Sequence, residues 1–301
     1  MIFETHAHYD DEKFDTDRVE LLSGMRENGI GRIINVGAAF RGVVDSVNLA
    51  KAYEDVYAAV GLHPSNVADF LSYGYSEDVD RLIHKDEEQK ERYPSDLSPE
   101  ELALLMQDTN EEGQNGALKL LYEYSACHKT VAIGEIGLDY YWDKDPAVQE
   151  VQRFWFRRQL RMAKEVKLPV IIHSRDAARD TMEIMKEAAD MGISGVIHCY
   201  SYSAEQAVEY VKMGYAIGVG GVITFKNGRK LRETVEAVPM DHILLETDSP
   251  YLAPEPYRGQ RNCSLYLHQI AERIAEVKGI TPEEVEKITW DNACRLFQKA
   301  V

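Results

Sequence analysis

LPVIIHS, residues 168–174, is the stretch that decides the fold. Its Val-Ile-Ile run has no apolar–polar alternation. It therefore suits a strand covered on both faces, as in parallel sheets flanked by helices. GRIINVG at 31–37 has the same character. Further apolar runs lie at 1–5, 56–62, 130–136, 195–197, 215–219 and 242–246, and with 31–37 and 168–172 they make eight candidate strands. Helical patterns lie between them. Residues 17–28 (DRVELLSGMREN) end at Gly29, a suitable left-handed C-cap. Ala147–Val166 is a long amphipathic stretch. At 203–213, Ser203 and Gln206 have capping-box spacing. At 282–289, Thr281 is a good N-cap with Pro282 at the first helical position. Eight strand–helix alternations predict an α/β chain folded as a (β/α)8 TIM barrel rather than an open sheet.

The 301 residues exceed the roughly 250 of a common single barrel. The surplus has an address. Residues 72–116 hold 13 acidic and 4 basic side chains, more than half of the chain's net charge of −17. Glu100–Gln107 looks helical after Ser98-Pro99. The expected organisation is one barrel over 1–301 with an acidic helical insertion after strand 3, at about 72–116. The insertion reads either as a solvated elaboration or as a lid or docking element near the active face.

Charge and composition exclude several classes. With 34 Lys+Arg against 51 Asp+Glu, a general nucleic-acid coat or a polybasic membrane binder is ruled out, but a local cationic cleft is not. The four cysteines (127, 199, 263, 294) form no C-x-x-C pair and are too sparse for a disulfide framework. No secretory pattern opens the chain, and no apolar run reaches the roughly 18 residues of a membrane span. The expected setting is cytoplasmic, without membrane contact, and the expected state is a monomer.

The polar residues carry the functional signal. A buried strand should not end in an unpaired polar group, which costs several kcal/mol. Here strand 1 leads to His6 and His8, strand 4 to Glu135, strand 5 to His173, strand 6 to His198 and strand 8 to Asp248. In a barrel these ends converge on one mouth. His6 and His8, two residues apart, share a strand face. Imidazole and carboxylate together suit divalent ions such as Zn or Mn. Four histidines and two carboxylates are too many for one tetrahedral ion and enough for two if a carboxylate bridges. Competing constellations are thinner. Ser174, Ser201 and Ser249 lie near His or Asp but without a G-x-S-x-G elbow. Cys199 reads as a packing or supporting neighbour of His198. Gly218, Gly220 and Gly221 lack dinucleotide spacing and are expected to let the chain turn beneath a substrate.

These stretches carry a resemblance. ETHAHYD (4–10), GLHP (61–64), GEIGLDYY (134–141), LPVIIHSRDA (168–177), IHCYS (197–201), LLETDSPYLAP (244–254) and RGQRN (258–262) resemble the TatD family of metal-dependent hydrolases, within the amidohydrolase-like barrels. The resemblance implies a (β/α)8 barrel with a divalent metal site, and its characterised members include Mg²⁺-dependent DNases. Carried over by motif, His6, His8, Glu135, His173, His198 and Asp248 are the metal ligands, with Glu135 bridging. The chain departs from the pattern at Ala7 and Tyr9, where many members have Cys and Leu. It departs again at Ser65, where another His is common, and in its longer acidic insertion.

The expected activity is phosphodiester hydrolysis by water activated between two divalent ions (Mg, Mn or Zn). Glu135 and Asp248 are the catalytic residues, Asp248 also accepting the water's proton. The expected partner is DNA, single-stranded or at ends. Candidate substrate contacts are His63, Arg175, Arg258 and Arg261, with Arg179, Lys226, Arg229 and Lys230 as further cations. Tyr140, Tyr141 and Trp142 are placed either to stack on bases or to pack the rim. Two alternatives stand beside the nuclease. One is a metal-dependent hydrolase of another ester, lactone or cyclic amide bond. The other is a binding protein that uses the acidic insertion.

Overall fold

The structure, a computed structural model, describes residues 1–72, 97–106 and 116–301. Most of the acidic insertion lies outside the described residues. Within it, the helix expected after Ser98 is present as Pro99–Leu105, opened by a complete capping box in which Ser98 and Glu101 bond reciprocally.

Eight parallel strands follow one another in chain order: β1 (Ile2–Ala7), β2 (Ile30–Gly37), β3 (Val56–Val60), β4 (Thr130–Asp139), β5 (Val170–Arg175), β6 (Gly195–Ile197), β7 (Ala216–Val219) and β8 (Ile243–Leu245). Chain order with parallel pairing requires a crossover between every pair, and helices supply most of them. The ring closes just beyond β1 and β8, where His8 N donates to Ser249 O (2.8 Å) and Asp248 N to His6 O (3.0 Å). This is a (β/α)8 barrel.

The doubly buried strands expected from the Val/Ile runs have a direct cause. Along β5, Val170 and Ile172 join the layer between barrel and helices, with Trp155 and Leu160. Ile171 joins the barrel interior, with Phe3, Ile34, Val196 and Leu244. Each fully buried Ile contributes about 1.5–3 kcal/mol by leaving water, so neither face tolerates a polar substitution. Ala293, Phe297 and Ala300 belong to the same interior cluster, so the C-terminal helix Pro282–Leu296 and the turn after it plug the barrel floor. That helix starts at the expected cap, a complete box between Thr281 and Glu284.

Other boundaries differ. The expected helix 17–28 is two pieces, Arg18–Ser23 and a 3-10 turn Arg26–Asn28, the latter ended by Gly29 at φ 83°. At Ser203 only half of the box forms: Ser203 Oγ accepts from Gln206 N, while Gln206 Nε2 bonds Ala178 O instead. The helix Pro146–Val166 agrees with expectation to one residue. β4 and β5 run further than their apolar stretches, pairing as far as Asp139 with Arg175. Glu135 and His173 therefore lie inside strands, below the rim. Among the described residues no helix is long and apolar enough to cross a membrane.

Candidate metal centre

Glu135 is the hub. It is 4% exposed and its two oxygens face different histidines. Oε2 lies 3.6 Å from His6 Nε2 and 3.9 Å from His8 Nε2. Oε1 lies 2.8 Å from His173 Nδ1, 3.1 Å from His198 Nε2 and 3.9 Å from His63 Nε2. Asp248 Oδ1 completes the first side, 3.5 Å from His8 Nε2 and 3.8 Å from His6 Nε2. All six residues expected as ligands thus converge, and His63 joins them. Three groups of donor atoms lie close enough to share an ion: His6/His8/Asp248, His6/Glu135/His198 and His63/Glu135/His173.

Hydrogen bonding tells which nitrogens have a lone pair to offer. His8 Nδ1 lies 2.8 Å from Val36 O, which only accepts, so Nδ1 carries the proton and Nε2 is free to ligate. His6 Nε2 lies 3.1 Å from that same atom, so two ring nitrogens aim at one point. Two imidazole nitrogens meeting head-on beside two carboxylates fit a shared cation. His198 Nδ1 faces the buried carboxylate of Glu246 at 3.5 Å, which favours a proton there and a lone pair on Nε2, toward Glu135. His63 is the opposite case. Its Nδ1 accepts from Ser65 N (3.1 Å), so in the neutral ring Nε2 bears the proton and points into the site as a donor.

The charges are mutually adjusted. Burial pushes the Glu135 carboxyl up, but the charge of His198 and bonds from His173 and His198 outweigh it and hold it well below the usual range. Burial likewise opposes, and His8 and His198 override, at Asp248, which stays low. Burial and neighbouring His173 press His63 down to about 3, so it is neutral at physiological pH. Asp248 also sits at φ 57°, a left-handed conformation uncommon outside glycine but one that Asp tolerates better than most residues. Its N–H bond to His6 O helps hold it there.

Three carboxylates that support this cluster were not expected from sequence. Glu4, fully buried, accepts from His6 N (3.1 Å), Thr247 N (2.9 Å), Thr247 Oγ1 (2.7 Å) and Ser264 Oγ (3.0 Å). Burial raises it to about 8 against those bonds. Glu246 stands behind His198 and accepts from Cys199 N. Asp139 lies 3.2 Å from His173 Nε2. Each had a signal in its spacing: Glu4 and Glu246 lie two residues before His6 and Asp248, and Asp139 ends the strand that carries Glu135.

The outer candidates separate. Arg175, two residues beyond His173 on β5, shares its strand face, and its guanidinium lies 3.9 Å over the Tyr141 ring and 5.6 Å from that of Trp142. Tyr141 and Trp142 are exposed (43% and 67%). Arg258 lies 3.8 Å over Phe225. Arg261 is committed elsewhere: it forks onto Asp17 (2.7 and 2.5 Å) and covers Phe14, so it ties the loop after β8 to the segment after β1. Arg229 pairs with Glu233 and Arg179 with Asp180. Tyr140 packs as a rim residue, its hydroxyl bonding Asp180 and Arg153. Ser174 Oγ shares bonds with Thr181 and Tyr202, and Ser249 Oγ lies beside Thr247 Oγ1. The glycines in and after β7 make room for the protein's own packing. A Cβ on Gly218 would meet Glu246 Oε2 at 2.2 Å, and one on Gly221 would meet Leu252 O at 2.1 Å.

A parallel barrel with histidines and carboxylates gathered within ligand distance defines a metal-dependent hydrolase of the TIM-barrel class. The family described as TatD related DNase matches residues 3–298, and the chain belongs to the TatD family. It is 39% identical over 298 residues to YabD of Bacillus subtilis strain 168, an uncharacterised metal-dependent hydrolase, covering 99% of both chains. It is 30% identical over 294 residues to YjjV of Escherichia coli K12, likewise an uncharacterised metal-dependent hydrolase, covering 98% of this chain and 96% of that one. The crystal structure of YjjV, a TatD homologue, superposes with a TM-score of 0.75 at 28% identity over 99% and 98% of the chains. An uncharacterised amidohydrolase of Saccharomyces cerevisiae shares the fold, with a TM-score of 0.75 at 18% identity, covering 99% of this chain and all (100%) of that one.

Proposed function

We propose that the protein hydrolyses phosphodiester bonds of DNA, single-stranded or at ends, with two divalent cations in the barrel mouth. His6, His8 and Asp248 would hold one ion and His173 and His198 the other, with Glu135 between. One observation carries this reading: the two oxygens of Glu135 divide the histidines into two groups. Four imidazoles favour Zn²⁺ or Mn²⁺ over Mg²⁺, which prefers oxygen donors. When bound, such ions lower the pKa of water and neutralise phosphoryl charge.

The chain's own groups do the rest. Asp248 accepts the proton of the attacking water. His63 offers Nε2–H to an oxygen of the scissile group and, being neutral, does so across the working pH range. Glu246 and Asp139 orient His198 and His173. Arg175, held over the Tyr141 ring, offers its guanidinium to a phosphate just outside the site. Trp142 and Tyr141 offer ring faces to unstacked bases.

The test is metal analysis of the purified protein, then a panel with added Zn²⁺ or Mn²⁺: labelled single-stranded DNA, RNA, a phosphodiester reporter, a lactone and a dihydropyrimidine. Metal-dependent cleavage of the DNA is expected. Turnover of only the lactone or dihydropyrimidine would replace the nuclease reading with another hydrolase.

A further inference from the structure

At the opposite end of the barrel, three to four residues or roughly 10–13 Å along the strands from the metal centre at about 3.3 Å per residue, lies a cavity of about 640 Å³. The N-terminal ends of β4 to β7 and the C-terminal helix form its walls, at Val131, Pro169, Gly195, Ala216 and Leu296. None of the residues assigned above to catalysis lines it. Its charge is the unusual part. The chain has 17 more acids than bases, yet this cavity is lined by Lys164, Lys167, Arg295 and Lys299 against a single acid, Asp241. Among the described residues none of the four cations forms an ion pair with a carboxylate. Elsewhere on the surface arginines and lysines regularly do, as Arg157 does with Glu187 and Lys287 with Asp291.

Three of the four are instead fixed by neutral acceptors. Lys164 Nζ donates to Met191 O (2.9 Å), Lys299 Nζ to Cys127 O (3.3 Å), and Arg295 to Asp241 O and Asn292 Oδ1. A carbonyl holds an ammonium in place without neutralising it and leaves its other N–H donors free. Burial lowers the Lys299 pKa, as expected for a cation with no counter-charge beside it. Gly192 and Gly214, both at positive φ, keep the cavity wall open where side chains would stand. Beside the cations, Met191, Ile193 and Leu296 provide apolar surface. Four positive charges against one acid, next to an apolar wall and in a volume typical of small-molecule sites, match a ligand with several negative charges and a flat ring.

We propose that the barrel floor is a binding site for a nucleoside polyphosphate, separate from the metal centre. The phosphates lie among Lys164, Lys167, Arg295 and Lys299, and the ring lies against Ile193 and Leu296. The proposal does not depend on the substrate of the metal centre.

The test titrates ADP into the full-length, metal-loaded protein by calorimetry, with adenosine as the uncharged control. Three variants accompany the wild type. Lys164→Glu/Lys299→Glu reverses two of the charges. Lys167→Ala removes an exposed lysine with no hydrogen bond to lose, so it leaves the fold alone. His8→Ala disables the metal centre. ADP is expected to bind wild type and His8→Ala alike, and adenosine to bind neither. Affinity should fall at least tenfold in the double variant and two- to fivefold in Lys167→Ala, with hydrolytic activity unchanged in both. No binding of ADP to wild type, or binding that survives both lysine changes, overturns the proposal. Binding that disappears only in His8→Ala places ADP at the metal centre and also overturns it.

Discussion

Glu4 and Thr247 face each other across the seam that closes the barrel, and Thr247 donates to Glu4 through both N (2.9 Å) and Oγ1 (2.7 Å). The same carboxylate holds His6 N. One buried side chain therefore fixes the strand that bears His6 and His8 relative to the turn that bears Asp248. Glu4→Ala would strand two buried N–H groups and two hydroxyls. Each unsatisfied buried group costs about 1–3 kcal/mol, partly relieved by water, so the expected loss is about 2–4 kcal/mol. Metal affinity should fall as well, because His6 and Asp248 are no longer held in register. Urea unfolding and a Zn²⁺ titration measure the two effects. A wild-type midpoint in Glu4→Ala would show that the seam does not depend on this carboxylate.

Glu135 is the other residue on which both sides of the site depend. Glu135→Ala is expected to lower activity by more than about 100-fold, beyond what loss of an outer partner alone reaches. It should also reduce bound metal, with the far-ultraviolet circular dichroism unchanged. Full activity in a variant shown by elemental analysis to hold no metal would reject a metal-dependent step.

The barrel was legible because its strands are buried on both faces, so Val and Ile run on without alternation in LPVIIHS and GRIINVG. The cluster around Glu135 was legible because histidines and carboxylates ending apolar runs have few structural reasons to be there. Strand ends were not legible. β4 continues through Gly-Leu-Asp to Asp139 because pairing with β5, a contact remote in sequence, extends it. Glu4 and Glu246 were missed for a related reason. Each sits one strand period from an expected ligand and looks like an ordinary polar neighbour until the fold brings Thr247 to one and His198 to the other. Arg261 has a partner that its motif does not reveal. Its motif suggested phosphate, but Asp17, 244 residues away in sequence, takes both arms of its fork.

The arginines around the mouth should therefore respond differently to substitution. Arg175→Ala is expected to raise KM for single-stranded DNA and to reduce the salt slope of binding by about one phosphate. Trp142→Ala should cost about 1–3 kcal/mol of binding, the range for one stacked base. Arg261→Ala should leave KM unchanged. KM measured at two salt concentrations for all three variants checks this, and an effect of Arg261 equal to that of Arg175 would contradict the division.

Asp143 gives a stability prediction whose sign follows from its surroundings. It is buried, and burial, with the Asp139 charge adding to it, raises its carboxyl from 3.8 to about 6. The folded protein thus holds that proton more tightly than the unfolded chain does. Between about pH 4 and 6 the folded state binds more protons, so stability falls as pH rises through this window and levels off above it. At about 1.4 kcal/mol per pKa unit, the penalty at neutral pH is on the order of 3 kcal/mol. Asp143→Asn removes the charge and keeps an oxygen for Gln152 Nε2, which donates to Asp143 at 2.9 Å. The variant should be more stable than wild type by about 1–2 kcal/mol at pH 8 and indistinguishable from it near pH 4. Urea unfolding of both proteins at the two pH values, with EDTA present to keep metal out of the comparison, decides it. An equal gain at both pH values would mean that the buried charge is not what burdens this position.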